Sequence, residues 1–505
     1  MKNILELLQM TAAALPDKQA VTAPDGACTW RELLHDTERV GTALAAWTAP
    51  RHPIPVLMEK GRHALCAFFG AVQAGCFYVP LSPALPEARL RQIVEVLRPP
   101  CLVTNQENSE LAERLLPGGA VLDIGDLLRT APDPAALTHI RRGMTGEDPL
   151  YCLFTSGSTG TPKGVVISHR AVLDFIPSFT ALFGIGAEDV IGNQAPFDFD
   201  VSVKDIYGAM QTGATLAIIP RQLFSQPAQL MDFLDESRVT TLTWAVSALC
   251  LVSALHGLDY RTPSAVRRVL FSGEVMPPAH LRNWMKHLPQ AAFVNLYGPT
   301  EITCNCTYHR IESDDIDPAG VPLGRPFPGR RVFLLDEDGR EISRTGQTGE
   351  ICVGGAGLAL GYYNAPEQTA RFFVQHPDNR RYHERIYRTG DLGQYDAQGA
   401  LRFCGRRDFQ IKHMGHRIEL EEIERAAAQL DGVTQCCCIY DEDKSGLHAF
   451  YTGTAESAAV FRQLAQCLPV FMLPRTFERL EQLPLTPNGK VDRRRLLAIA
   501  RRETL

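Results

Sequence analysis

Apolar runs too short for helices recur along the first part of the chain, with helix-like stretches between them. Val56-Leu57-Met58, Phe77-Tyr78-Val79-Pro80-Leu81, Leu150-Tyr151-Cys152-Leu153-Phe154, Ala214-Thr215-Leu216-Ala217-Ile218-Ile219 and Arg268-Val269-Leu270-Phe271-Ser272 read as strands. Between them Trp30-Arg31-Glu32-Leu33-Leu34 begins a helix capped by Thr29, and Ala64 to Ala74 forms an apolar helix ended by Gly75. Strand and helix alternating in this way predict parallel sheets covered by helices. At 505 residues the chain is too long for one ordinary core, which predicts two or more domains.

Near residue 330 the character changes. Arg331-Val332-Phe333-Leu334-Leu335-Asp336-Glu337-Asp338-Gly339 reads as a hairpin with a glycine turn, and Gly349-Glu350-Ile351-Cys352-Val353-Gly354-Gly355 as another short strand. These predict a β-rich subdomain closing the N-terminal body. After Gly405-Arg406-Arg407-Asp408 the periodic segments are Glu419 to Leu430 (helix), Thr434 to Tyr440 (strand), His448 to Tyr451 (strand) and Ala458 to Cys467 (helix). The expected architecture is therefore α/β. A large body spans 1–407, and a small mobile α+β domain spans 408–505. No short repeat and no low-complexity tract interrupts it.

With 45% hydrophobic and 21% charged residues, the composition is that of a soluble globular protein. A net charge of −6 supplies no basic field for nucleic acid. Glu6 and Asp17 interrupt any signal-peptide core, and no 18-residue apolar run occurs, so no membrane partner is expected and the cytoplasm is the expected location. The 14 cysteines read as reduced and mostly buried. Neither Cys304-Asn305-Cys306 nor Cys436-Cys437-Cys438 has a second pair at zinc-ligand spacing.

Chemistry enters with Phe154-Thr155-Ser156-Gly157-Ser158-Thr159-Gly160-Thr161-Pro162-Lys163-Gly164. Glycines let backbone N–H groups turn toward an anion, hydroxyls add donors and lysine adds a point charge, a set suited to polyphosphate. It is not a Walker A loop, because no Ser or Thr follows Lys163 and the glycine spacing differs. A flexible Ser/Gly linker is the alternative, though a linker seldom carries Pro-Lys-Gly into an apolar strand.

Five more stretches accompany the loop. They are Asn295-Leu296-Tyr297-Gly298-Pro299-Thr300-Glu301, Gly349-Glu350-Ile351, Tyr387-Arg388-Thr389-Gly390-Asp391, Gly405-Arg406-Arg407-Asp408 with Lys412 to Glu419, and Pro487-Asn488-Gly489-Lys490-Val491-Asp492-Arg493. In this order and spacing the chain closely resembles the adenylate-forming enzymes. That group includes peptide-synthetase adenylation domains, D-alanine–carrier-protein ligases, acyl-CoA synthetases and luciferases. The resemblance covers essentially the whole chain.

It implies that a carboxylic acid attacks the α-phosphate of ATP, giving an acyl-adenylate and pyrophosphate, and that a phosphopantetheine thiol then takes the acyl group. By resemblance, Lys490 reaches the substrate carboxylate and the phosphate oxygen, Glu301 holds Mg²⁺ and Thr300 touches the α-phosphate. Thr155, Ser156, Gly157, Ser158, Thr159, Gly160 and Lys163 would handle the outer phosphates. Tyr297 would stack on adenine, Asn295 would bond its edge, and Gly273, Glu274 and Gly298 would border the nucleotide. Asp391 would accept from the ribose hydroxyls and Arg406 would lie beside them. Asp408 would be the hinge about which the tail exchanges Lys490 for Gly415-His416-Arg417. Read singly, Asp391 and Glu301 could be helix-start acids and Lys490 a solvated lysine.

The segment Asn193 to Val203 resembles the amino-acid-activating members, where Asp200 would bind the α-ammonium; its alternative is a helix cap. Val201, Lys204, Thr243, Leu270, Ser272, Leu296, Cys304 and Asn305 would form the remaining wall. The segment is especially similar to D-alanine–carrier-protein ligases, but Lys204 and Ser272 depart from them. Lys204 could meet a substrate carboxylate, favouring an acidic or polar amino acid, or could bridge to Asp198, Asp205 or Glu274. The chain stops 15 residues after Lys490, so the expectation is a ligase loading a separate phosphopantetheinyl carrier protein in trans. D-alanine–carrier-protein ligase and acyl-CoA synthetase are the alternatives, and a nucleotide binder without catalysis is a further one.

Overall fold

The computed structural model describes residues 1–157, 160–312, 315–316, 320–442, 444–486 and 491–502. Two compact units divide the chain. The first comprises Met1–Ser82, Leu97–Leu153 and Gly164–Arg407; the second comprises Pro83–Val96, Phe154–Lys163 and Asp408–Leu505.

In the first unit, a nine-stranded sheet has the order Arg325–Pro326, Thr307–Arg310, Ala292–Tyr297, Arg268–Ser272, Thr241–Ala245, Val190–Asn193, Thr215–Ile218, Gln19–Ala23, Gly26–Thr29. Its six central strands run parallel, as the apolar runs predict, and antiparallel strands close both edges. The register sets Thr243 beside Leu270 and Leu270 beside Val294. Side chains alternate faces along a strand, so Thr243, Leu270, Ser272 and Leu296 share one side of this sheet. Trp244, Val269 and Phe271 face the other way into a separate core with Leu234, Leu249 and Trp284.

A second sheet has seven strands, with Phe77–Leu81 between Pro149–Thr155 and Pro53–Leu57. Both Phe77–Leu81 and Pro53–Leu57 are buried along their whole length, which explains their lack of polar alternation. The helix Trp30–Ala45 starts on a capping box, Thr29 accepting from the Glu32 N–H while Glu32 accepts from Thr29. The helix Arg62–Gln73 stops before Gly75, whose φ of 75° suits a residue without Cβ.

The third sheet is antiparallel and β-rich, as the sequence after residue 330 predicts. Arg330–Leu335 pairs with Glu341–Ile342 and Gly349–Gly355, and Gly349–Gly355 pairs with the long strand Arg385–Tyr395. Glu350 ties these strands together. Its carboxylate accepts from Arg388, from Arg407 Nη1 at 2.9 Å and from the Gly390 N–H at 3.1 Å.

In the second unit, the hairpin Gln410–His413/His416–Glu419 leads into the helix Leu420–Ala428. Val433–Asp441, Gly446–Gly453 and Thr476–Arg479 form a three-stranded sheet, packed by Ser457–Cys467 and Arg493–Arg501. Among the described residues no helix is long and apolar enough to cross a membrane, and no group of three or more His, Cys, Asp or Glu could hold a metal.

Candidate active site

The strand Ala292–Tyr297 delivers Tyr297 to a buried polar group. Its hydroxyl donates to Asp391 Oδ2 at 2.6 Å, and Arg406 Nη1 donates to Asp391 Oδ1. Burial raises the Tyr297 pKa, so the phenol keeps the proton it donates. Asp391 sits within Arg385–Tyr395, not at a helix start, and only 2% of it is exposed. Each carboxylate oxygen can accept a second hydrogen bond, so Asp391 retains capacity for two hydroxyls. The neighbouring Asn295 donates through Nδ2 to the Pro322 carbonyl at 2.8 Å, which fixes its amide with Oδ1 as the remaining acceptor.

After Tyr297 the chain makes a tight turn. A Cβ on Gly298 would lie 2.6 Å from Asn305 Cα, so only glycine fits. Thr303 and Cys304 adopt left-handed φ values of 60° and 68°, sparsely populated for such side chains. The turn buries Glu301 completely, and Tyr362 donates to its Oε1 at 2.7 Å. A single held carboxylate suits a hard cation that brings most of its ligands as phosphate oxygens and water. Thr300 and Glu301 lie in the short helical turn Thr300–Ile302. Gly273 follows the strand Arg268–Ser272 with φ of 104°, and a Cβ there would meet nothing within 4 Å. Glu274 beside it is half-buried.

The same turn meets the helix Val201–Thr212. Asp200 precedes this helix but makes no side-chain cap hydrogen bond, unlike the cap alternative, and its carbonyl accepts from the Cys304 thiol. One turn later Lys204 Nζ donates to Asn305 Oδ1 at 2.8 Å and lies 3.4 Å from Ser272 Oγ. Lys204 thus connects two expected wall positions, Ser272 and Asn305, and forms no ion pair with Asp198, Asp205 or Glu274. Val201, Thr243, Leu270, Leu296, Cys304 and Asn305 are all buried.

The glycine-rich loop belongs to the second unit. Gly157 is required, because a Cβ there would lie 2.0 Å from the Thr161 carbonyl oxygen. Its N–H donates to Glu422 Oε2 at 3.2 Å, and Glu422 also receives Arg89. Ser156 Oγ donates to the Arg417 carbonyl at 2.6 Å, and Lys163 Nζ lies 3.6 Å from Glu419 Oε1. The Thr155 hydroxyl is buried with no hydrogen-bond partner among the described residues. Gly160 turns at φ of 81°. Asp408 opens the last segment of this unit and accepts from the Gln410 N–H. Ser158, Thr159 and Lys490 lie outside the described residues.

The family model of the AMP-binding enzyme matches residues 8–363, and that of the AMP-binding enzyme C-terminal domain matches 422–490. The chain belongs to the AMP-binding enzyme family. This AMP-binding enzyme is 33% identical to the D-alanine–D-alanyl carrier protein ligase of Bacillus mycoides, over 98% of this chain and 99% of that one. It is 31% identical to tyrocidine synthase 1 of Brevibacillus parabrevis over 98% of its length. It spans only 45% of that synthase, and 19% of a mycosubtilin synthase chain of Bacillus subtilis. A solved NRPS protein containing adenylation and PCP domains, bound to a vinylsulfonamide inhibitor, matches with a TM-score of 0.84 and 27% identity, covering 100% of this chain and 85% of that one.

Sequence reasoning missed several partners. Tyr362 on Glu301 and the carboxylates of Glu419 and Glu422 on the loop carry no local signal. Lys60 donates to the Asn193 carbonyl and Oδ1 and to the Gln194 carbonyl, and Asn193 Nδ2 donates to Asp205 Oδ2 at 3.0 Å. Lys60 and Asn193 lie 133 positions apart, so only the fold joins them.

Proposed function

We propose that this AMP-binding enzyme activates an amino acid with ATP and passes it to the phosphopantetheine thiol of a carrier protein. The observation that carries the reading is Asp391, a buried carboxylate gripped by Tyr297 and Arg406 with room for two further donors. In this reading it takes the ribose hydroxyls, while Asn295 Oδ1 accepts from the adenine amino group. Tyr297 lies against the base.

A carboxylate oxygen of the amino acid attacks the α-phosphorus. The P–O bond to pyrophosphate breaks, leaving the aminoacyl-adenylate. Negative charge gathers on the equatorial oxygens, so the rate depends on fixed donors and positive charge. Lys490 and Thr300 are assigned to those oxygens, and Lys163 with the glycine-rich loop to the departing phosphates. Glu301 would supply one ligand to Mg²⁺, which offsets phosphate charge when bound. Asp200 would accept from the substrate ammonium, since a buried carboxylate favours a cation over a plain acyl chain. The carrier thiolate then attacks the acyl carbon, the thioester forms and AMP leaves. A hinge at Asp408, between the bodies 1–407 and 408–505, would exchange Lys490 for Gly415-His416-Arg417 between these steps.

A second reading, D-alanine–carrier-protein ligase, has the end-to-end match to the Bacillus mycoides ligase in its favour. Amino-acid-dependent exchange of pyrophosphate into ATP, followed by thioester formation on a phosphopantetheinyl carrier, tests both. Efficient acylation of free CoA with a simple fatty acid would overturn the amino-acid reading.

A further inference from the structure

Lys204 is only 1% exposed and its hydrogen-bond partners are neutral, while the Asp200 and Asp205 carboxylates act on it only from beyond hydrogen-bond reach. Asn305 Oδ1 and Ser272 Oγ take two of its three N–H groups, and among the described residues no protein atom takes the third. Adjacent in sequence, Asp205 turns its carboxylate to Asn193 instead. Leu270, Leu296 and Val201 are buried about the same wall, so little water screens the charge. An ammonium in such surroundings is costly unless a carboxylate meets it. Amide and hydroxyl oxygens satisfy its hydrogen bonds without cancelling its charge.

Asp200 and Lys204 stand four residues apart on one helix face, with Cβ atoms about 5–6 Å apart at that spacing. An acid and a cation separated in this way match the two ends of a short zwitterion that carries an extra anionic group. We infer that the pocket takes an α-amino acid with a side-chain carboxylate, of aspartate or glutamate type, its ammonium on Asp200 and its distal carboxylate on Lys204. This rests on the amino-acid reading above. Asparagine or glutamine would offer Lys204 an oxygen but no charge, and alanine would offer neither.

The test is pyrophosphate exchange by the full chain with D- and L-forms of aspartate, glutamate, asparagine, glutamine and alanine, and with butyrate as an acid lacking the amine. The expected result is a kcat/KM for aspartate or glutamate roughly 100-fold above that for the matching amide, the scale of a buried charge pair. Lys204→Met removes that preference. Asn305→Asp, which gives Lys204 an internal carboxylate, removes it too and covers the case in which Lys204→Met does not fold. A preference for alanine or an amide, or an acidic preference surviving both variants, overturns this inference and leaves the amino-acid reading standing. Exchange with butyrate alone, or with none of these acids, overturns that reading and this inference with it.

Discussion

Lys163 and Lys204 are both lysines that the fold has withdrawn from water, at 4% and 1% exposure, yet their neighbours differ in kind. Lys163 lies in the glycine-rich loop with Glu419 at 3.6 Å, and the loop's Gly157 N–H is bonded to Glu422. Protein carboxylates occupy donors that would otherwise suit phosphate oxygens. Lys204 has an amide and a hydroxyl for partners and, among the described residues, no carboxylate. The loop's charges are balanced internally, so an incoming anion must displace something. The pocket's charge is met only from beyond contact, by Asp200 and Asp205, so an incoming anion adds the direct partner. The first arrangement suits a ligand used alike with every substrate; the second suits selection among substrates.

The largest effect should come from a third cation, which asks whether either buried lysine can do the chemical step. Lys490→Ala should lower adenylate formation by ~10²–10³, the usual loss when one transition-state donor is removed. Single-turnover formation of aminoacyl-adenylate measures it. An unchanged rate would mean that Lys163 or Lys204 supplies the charge at the α-phosphate, and the division drawn between them would collapse.

Next comes a double dissociation. Lys163→Ala should raise the KM for ATP by about tenfold, the effect of losing one charge-assisted hydrogen bond, and should leave the ranking of amino acids as it was. Lys204→Met should change the ranking and leave the KM for ATP alone. Steady-state exchange kinetics with both substrates varied reads the two outcomes together. A shift in amino-acid ranking by Lys163→Ala would put both lysines in one site.

Much of the frame behind this comparison is legible in the chain. Thr29 and Glu32 give the first long helix its start because a capping box is local chemistry. The strand at Phe77–Leu81 shows itself because burial on both faces leaves no polar alternation. Gly339, at φ of 78°, marks the turn between Arg330–Leu335 and Glu341–Ile342. Partnerships across the fold leave no such trace. Arg89 and Glu422 lie 333 positions apart, and neither differs from a surface charge until the fold pairs them, with the Gly157 N–H on the other Glu422 oxygen. For Lys204 the sequence allowed a substrate carboxylate or an internal acid. Sheet register and the left-handed turn at Thr303–Cys304 decide which groups surround it, and neither is visible as periodicity.

The smallest expected effect concerns Asp205, the acid next to Lys204 in sequence and one that could make it resemble Lys163. Asp205 is wholly buried, its Oδ1 has no hydrogen-bond partner among the described residues, and burial pushes its pKa up to about 7. An unfolded aspartate titrates near ~3.9. Between those values the folded protein holds a proton that the unfolded chain has lost, so this group's contribution falls as pH rises and is least favourable above pH 7. Asp205→Asn keeps an oxygen for Asn193 and removes the titration. Lys60, pushed down to about 7 by burial and held up in part by the Asp205 charge, moves lower still in the variant, so it is already largely neutral in both proteins at pH 8. The variant should therefore melt about 2–4 °C above wild type at pH 8, with the gap closing toward pH 5. A variant less stable than wild type at pH 8 would make the Asp205 carboxylate the counter-charge of Lys204. Lys204 would then be balanced from within, as Lys163 is, and its claim on a substrate carboxylate would fail.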